Sequence, residues 1–228
     1  YYGWQRIGGN EASGGVIELL GAFAPISNID DILLALRDAG FGVAAVEFAA
    51  LSLIRQLNAL KLINKALPHL IIHVAASGFD FMVVKNGNLY FDYFYPWSLI
   101  QADERSIPLD KLKEVVSSEM SKVFNFYVSN WGGQIKNLLV ITPTLEEEFK
   151  SMATEKFPDS KTEILSPERV MVVGGAAIRG RTPRGEDFDI SLTSESAAKI
   201  FEQEQDLHFI AIWRNILFAV AGFVLLVF

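Results

Sequence analysis

Cysteine is absent from the 228-residue sequence, which excludes disulfides and thiolate metal sites. The absence leaves the compartment open, because a reducing cytoplasm permits free thiols without requiring them. Long basic runs are missing too, and the formal net charge is −7, so nucleic acid is not an expected partner. Histidine is scarce. His69, His73 and His208 are not spaced as a metal-ligand set, and the first two fall on or beside one strand, so a structural role is expected and no metal site. A general-base role for His73 lacks an evident nucleophile or orienting partner in the sequence. The stretch around Ser77 lacks the Gly-x-Ser-x-Gly pattern of a serine-hydrolase elbow. There is no solenoid repeat, no low-complexity tract and no positive-then-apolar N-terminal signal pattern.

What is present is hydrophobic: these residues make up 50% of the chain, enough for a sizeable core and a reason to look for a membrane segment. The first part alternates strand and helix patterns, the mark of an α/β domain. Val16–Pro25 reads as a buried strand. Asn28 then suits the N-cap of a helix to Ala39, with Asp30 and Asp31 at its positive end. Val43–Phe48 reads as a short strand and 49–62 as a helix. A new unit begins near Pro68. Residues 70–77, 79–84 and 89–94 read as three strands, the last two joined at Asn86-Gly87, a pair that tolerates positive φ. A long helix over 109–130 follows, ended by Trp131-Gly132-Gly133, and then a strand over 135–141. Thr144 is a candidate cap for a helix over 145–156, and 161–165 reads as a strand. Ser166-Pro167-Glu168 resembles a helix start, leading into a helix in which Gly174 and Gly175 predict close packing. Residues 179–204 are polar and predict an extended linker.

The chain closes on Ile216–Phe228, thirteen residues without a charge. A spanning helix needs about 20. The expectation is the start of a transmembrane helix, residues 207–228, that continues past the last residue. Trp213 then suits the interface, and Arg214 reaches for headgroups and favours a cytoplasmic placement of residues 1–205. The alternative is a buried C-terminal helix.

Taken in order, these segments resemble the PilM family, actin-like cytoplasmic proteins of type IV pilus assembly, and the cytoplasmic part of the GspL family of type II secretion. The likeness is carried by IDDILLALRDAGFGVAAVEFAALSLIRQL, by HVAASGFDFMVVKNGNLYFDYFYPW and by VGGAAIRG, with Gly174, Ala177 and Arg179 matching the family pattern. The resemblance implies an α/β, actin-like ATPase (ribonuclease H-like) fold, incomplete at its N-terminus and followed by a transmembrane helix. It places part of a first actin-like half at 1–67, a second half at 68–180, a linker at 181–206 and the start of the helix at 207–228. The family's first phosphate loop is then expected upstream of Tyr1. The resemblance also implies a fusion to the start of a PilN-like segment. The partner PilN carries an INLLP-like peptide that lies in a groove on PilM. Here Asp189-Ile190-Ser191-Leu192-Thr193 stands in its place, making Ile190 and Leu192 the candidate partner-binding residues. A plain linker is the other reading.

The phosphate loop of the second half is implied at Ser77, Gly78 and Asp80, as a degenerate version. His73 stands where the family pattern has aspartate and Ala75 where it has glycine, and a side chain there crowds a phosphate. The adenosine-side loop, expected as Gly-Gly-Gly-Ala, reads Thr142-Pro143-Thr144, and proline has no N–H to offer. No catalytic residue is expected, and ATP with Mg remains the only cofactor considered. The implied function is an inner-membrane assembly-platform scaffold of a type IV pilus or type II secretion-like system. Its implied partners are platform proteins of the PilN/PilO or GspM type, a motor ATPase, the membrane and a second copy of itself. The competing reading is an active actin-fold ATPase or sugar-kinase-like enzyme.

Overall fold

A computed structural model describes residues 1–9, 16–101, 107–183, 186–193 and 195–227. The chain forms two compact units that interleave along the sequence, one made of 5–20 and 48–188 and the other of 1–4, 21–47 and 189–228.

The first of these is a mixed α/β unit around a five-stranded sheet. Its strands are β3 (His69–Val74), β4 (Gly78–Lys85), β5 (Asn88–Pro96), β6 (Asn137–Ile141) and β7 (Lys161–Leu165), in the order β5-β4-β3-β6-β7. β4 pairs antiparallel with both β3 and β5, while β3–β6 and β6–β7 are parallel, so β4 alone runs against the others. The hairpin from β4 to β5 turns on Asn86 (φ 56) and Gly87 (φ 78), as the Asn-Gly pair predicts.

Alternation along the strands sends residues to two buried faces. On one face Leu70, Ile72, Phe79, Phe81, Val83, Leu138 and Val140 join a core with Leu112, Val116, Met120 and Val123 of α4 (Leu109–Trp131) and Phe149 and Met152 of α5 (Glu146–Lys156). The other face carries Ile71, Met82, Val84, Leu139 and Ile141, all buried. Fully burying an aliphatic or phenylalanine side chain contributes about 1.5–3 kcal/mol, so both layers matter to the sheet. α2 (Ala49–Ala59) touches β4 and β5 and also meets α6 (Val172–Gly180). The α2–α6 approach is close because of two glycines. A Cβ on Gly175 would lie 1.8 Å from the Ser52 carbonyl oxygen, and one on Gly174 would lie 2.2 Å from Gln56 Nε2.

The second unit holds the start of β1 (Tyr2–Gly8), the end of β2 (Glu18–Phe23), α1 (Ile26–Asp38), an extended stretch to Glu47, residues 189–193 and α7 (Glu195–Val227). β1 and β2 form a two-stranded ribbon. The Tyr1 ammonium donates to the Ala24 carbonyl and its hydroxyl to Asp30. Among the described residues the large side chains buried in this unit are Ile29, Ile190 and Leu192, while Tyr2, Trp4, Phe23, Ile32 and Leu34 are exposed.

Several local expectations are corrected. β2 is shorter than 16–25 and mostly exposed, since a ribbon has only one other strand to cover it. α1 starts at Ile26 with Pro25 before it, so Asn28 is inside the helix and caps nothing. Residues 43–48 form no strand. α5 starts after Leu145, which takes a left-handed conformation (φ 65), and Thr144 turns on Thr142 instead of capping it. Ser166 bonds the Glu168 N–H in a turn, and the helix proper begins only at Val172. The polar stretch after Arg179 is not simply extended: Arg179, Ile190 and Leu192 are buried and residues from Glu195 are helical.

The stretch expected to start a membrane span lies in α7 as far as it is described. Residues 207–227 are helical within α7, but among the described residues no helix is long and apolar enough to cross a membrane.

Candidate functional site

Three turns leave the same end of the sheet. His73 at the end of β3 lies beside Ile141 at the end of β6, which in turn lies beside Leu165 at the end of β7. The turns after them hold Ser77, Thr142–Thr144 and Ser166, so the two loops suspected from sequence do converge. In open α/β sheets this carboxyl end is where ligands bind.

The β3–β4 turn is closed. The Ala75 N–H donates to the Gly78 carbonyl at 2.9 Å and the Gly78 N–H to the Ala75 carbonyl at 3.4 Å, leaving Ala76 and Ser77 as a two-residue loop. Trp97, at the start of α3 (Trp97–Gln101), staples the turn from outside. Its indole Nε1 donates to the Ala75 carbonyl at 2.9 Å, and its backbone N–H to the Ser77 carbonyl at 3.0 Å. The indole also packs on Phe79, with ring centroids 4.4 Å apart. A phosphate cradle needs N–H groups aimed outward; those of Ala75 and Gly78 are used across the turn. Ser77 is exposed at its tip.

Gly78 is explained by packing. A Cβ there would lie 2.3 Å from the Tyr95 carbonyl oxygen and 2.8 Å from Pro96 Cα, so glycine lets β5 close on β4. Asp80 is likewise drawn inward. A two-residue loop at Ala76-Ser77 sets Asp80 opposite His73, and His73 Nδ1 lies 2.9 Å from Asp80 Oδ2, with both side chains about 15% exposed. Asp92 of β5 flanks the pair through the β4–β5 ladder, where it faces Met82. Its carboxyl is pushed up to about 7, first by burial and then by the Asp80 charge, against smaller opposing effects of the Tyr93 N–H and of His73. The residue as a whole is exposed on an edge strand, so solvent screens much of this and the upward direction is what matters.

The turn after β6 is closed in its own way. The Thr142 N–H donates to the Leu165 carbonyl at 3.1 Å. The Thr142 hydroxyl donates to the Thr144 carbonyl, and the Thr144 N–H returns to the same hydroxyl at 3.3 Å. Thr142 is buried, and Pro143 has no N–H. Among the described residues no group of three or more histidines and acidic residues could hold a metal ion.

Ile190 and Leu192 lie in the other unit and are each 2% exposed. The Leu192 N–H donates to the Val46 carbonyl at 2.8 Å, and the Val46 N–H donates to Ser191 Oγ at 3.4 Å. Ile190 sits on Gly3, where a Cβ would lie 2.6 Å from Ile190 Cγ2. Along this segment the buried Ile190 and Leu192 alternate with the less buried Asp189, Ser191 and Thr193.

Sequence reasoning missed Trp97 and the partner of His73. The second was available: His73 and Asp80 are equidistant from the centre of the Ala76-Ser77 turn, which sets them face to face in an antiparallel pair. Trp97 carried no local signal, because the bond it makes reaches back 22 residues.

No protein-family model matches the chain, and no curated protein matches it. Among solved structures, the ethanolamine utilization protein EutJ from Carboxydothermus hydrogenoformans is similar at 14% identity and a TM-score of 0.39, over 65% of this chain and 59% of that one. Marinitoga piezophila Argonaute, in complex with a 5′ OH guide RNA, is similar at 12% identity and a TM-score of 0.32, over 45% of this chain and 16% of that one.

Proposed function

We propose that this chain is a non-enzymatic scaffold: an actin-like domain whose nucleotide site has closed, serving an inner-membrane assembly platform of the type IV pilus or type II secretion kind. The observation that carries the reading is the closed carboxyl end of the sheet. His73 and Asp80 are engaged with each other, Nδ1 to Oδ2, where a metal and phosphates would need a free carboxylate and free N–H groups. The Trp97 staple and the Thr142–Pro143–Thr144 turn consume donors and acceptors in both loops. The strand order, with β4 alone reversed, supports a ribonuclease H-like sheet of the actin type.

In this reading residues 189–192 are the contact segment that a PilN-like partner supplies in the family, here docked within the same chain. Their burial beside Val46 supports it. The exposed apolar side chains of α7, Phe209, Trp213, Leu217 and Phe218 among them, support a membrane or membrane-protein partner and a position at the cytoplasmic face of a bacterial inner membrane. Partners of the PilN/PilO or GspM type and a motor ATPase follow from the same proposal.

The test is calorimetry with Mg-ATP. The expected result is no saturable heat at high micromolar nucleotide. Saturable binding tighter than about 10 μM, roughly −7 kcal/mol, would overturn the scaffold reading in favour of a nucleotide-regulated ATPase.

A further inference from the structure

The five-stranded sheet has two edges, and they are guarded differently. An edge strand offers a row of unpaired N–H and C=O groups, which proteins blunt with short length, lysine or other charge. β7, at one edge, has five residues and exposes Lys161 and Glu163. β5, at the other, has nine residues, with neither lysine nor arginine among them.

The ladder fixes which groups of β5 point outward. The Trp97 N–H donates to the Ser77 carbonyl at 3.0 Å, and the same register sets Phe79 opposite Tyr95, Phe81 opposite Tyr93 and Val83 opposite Phe91. Bonded pairs recur at every second residue of an antiparallel ladder, so these three are the bonded pairs. The N–H and C=O groups of Asp92 and Phe94 therefore face away from β4, and among the described residues no strand takes them up.

Acids stand on both faces of this edge. On one face Asp92 is exposed and lies diagonal to Asp80; burial first and then the Asp80 charge push its carboxyl up. On the other face Glu119 of α4 lies against Tyr93, whose phenol is held up by burial and then by the Glu119 charge. Glu119 is 4% exposed. Its Oε1 accepts from Lys122 Nζ at 2.7 Å, while its Oε2 is buried with no donor among the described residues. A buried acceptor without a donor is costly, and the strand it lies against is the open one.

We propose that the outer edge of β5 accepts an extended strand of a partner protein that carries two consecutive basic residues. Consecutive side chains of a strand point to opposite faces. One basic residue then falls beside Asp92, and the next beside the Tyr93 ring on the side of Glu119, at the roughly 5 Å spacing of cross-strand neighbours. A second copy of this chain fits worse: the symmetric antiparallel pairing centred on Asp92 sets two aspartates face to face, and like charges in register destabilise a sheet. The proposal does not depend on the nucleotide reading.

Amide chemical shifts and hydrogen exchange on the full chain test it. The probe is a short acetylated and amidated peptide of alternating threonine and valine with Lys-Arg at its centre. Saturable binding with a Kd below about 1 mM is expected, with the Asp92 and Phe94 amides shifted and newly protected. N-methylation of one alternate set of peptide nitrogens is expected to abolish binding and of the other set to leave it, as strand pairing requires. Asp92→Asn is expected to weaken binding about 5-fold. Asp92→Lys is expected to turn the preference toward a counterpart peptide with Glu-Asp at its centre. Protection of Ile71 in β3 reports that the sheet is intact in each variant. Absence of shifts at Asp92 and Phe94, or equal affinity of the wild type for the two peptides, overturns the proposal. Protection of the Asp92 and Phe94 amides that rises with protein concentration alone gives the edge to a second copy and overturns it as well.

Discussion

Replacing Gly175 with alanine should destabilise the α/β unit by about 2–4 kcal/mol, although the same change in an exposed helix stabilises by about 1 kcal/mol. The opposing effect comes from the α2–α6 contact. The new Cβ would meet the Ser52 carbonyl oxygen at 1.8 Å. That is backbone, so no rotamer change relieves it, and α6 must retreat by roughly 1.5 Å to reach ordinary van der Waals contact. Three hydrogen bonds span the same contact. Ser52 Oγ donates to the Val172 carbonyl at 2.7 Å, the Met171 N–H to Gln56 Oε1 at 2.6 Å, and Arg55 Nη1 to the Gly175 carbonyl at 3.0 Å. Each neutral bond contributes about 1 kcal/mol net and the charged one about 1.5–3 kcal/mol, so losing part of this set outweighs the propensity gain. Urea titration followed by circular dichroism measures the effect as a lower midpoint at unchanged slope. Gly180 ends the same helix with nothing within 4 Å of its Cβ position, so Gly180→Ala should be neutral or slightly stabilising. A Gly175→Ala protein as stable as the wild type would refute the reasoning.

Alkaline stability and the turn staple give two further tests. Tyr90 is buried, its hydroxyl donates to Glu18 Oε2 at 3.0 Å, and burial followed by the Glu18 carboxylate pushes its phenol up to about 12. The unfolded phenol ionises near 10, so the stability held by the neutral form is complete below pH 10 and lost as pH rises toward 12, a loss on the order of 2–3 kcal/mol; Tyr90→Phe should flatten this alkaline limb in urea midpoints taken at pH 9 and 11, and an unchanged limb would contradict the assignment. Trp97→Phe keeps the ring contact with Phe79 but deletes the indole donor to Ala75, so it should cost about 1 kcal/mol and speed exchange of the Ala75 and Gly78 amides; unchanged exchange there would mean the turn closes without the staple.

The sheet was largely legible because its signals are local. Asn86-Gly87 specifies its hairpin, the 109–131 helix carries an apolar stripe ended by two glycines with positive φ, and β7 is found where alternation puts it. Helix starts were read less well. Asn28, Thr144 and Ser166 are all good caps by type, but none caps a helix here: Asn28 lies inside α1, Leu145 stands before α5 in a left-handed conformation, and Ser166 closes a turn ahead of α6. β1 was missed altogether: Tyr2–Gly8 contains two glycines and makes a strand only by pairing with β2. At the candidate site, Ser77, Gly78 and Asp80 were picked out for what they would do near a phosphate. Their present surroundings follow from contacts with Tyr95, Trp97 and His73, and of these only the last was predictable from spacing.

If the proposed scaffold reading holds, the facing pair of His73 and Asp80 makes the loss of a nucleotide loop hard to reverse one step at a time. Restoring an acid by His73→Asp would set two carboxylates directly opposite each other on neighbouring strands, with Asp92 a third nearby. Like charges in direct register destabilise a sheet, so the first step back lowers stability before any phosphate can be held. Replacing Pro143 or loosening Trp97 first would give up turn contacts without restoring a ligand to fill them. A lineage that has made this exchange sits behind a ratchet in which each single reversion is uphill, and its sheet is then free to diverge under the demands of partners alone.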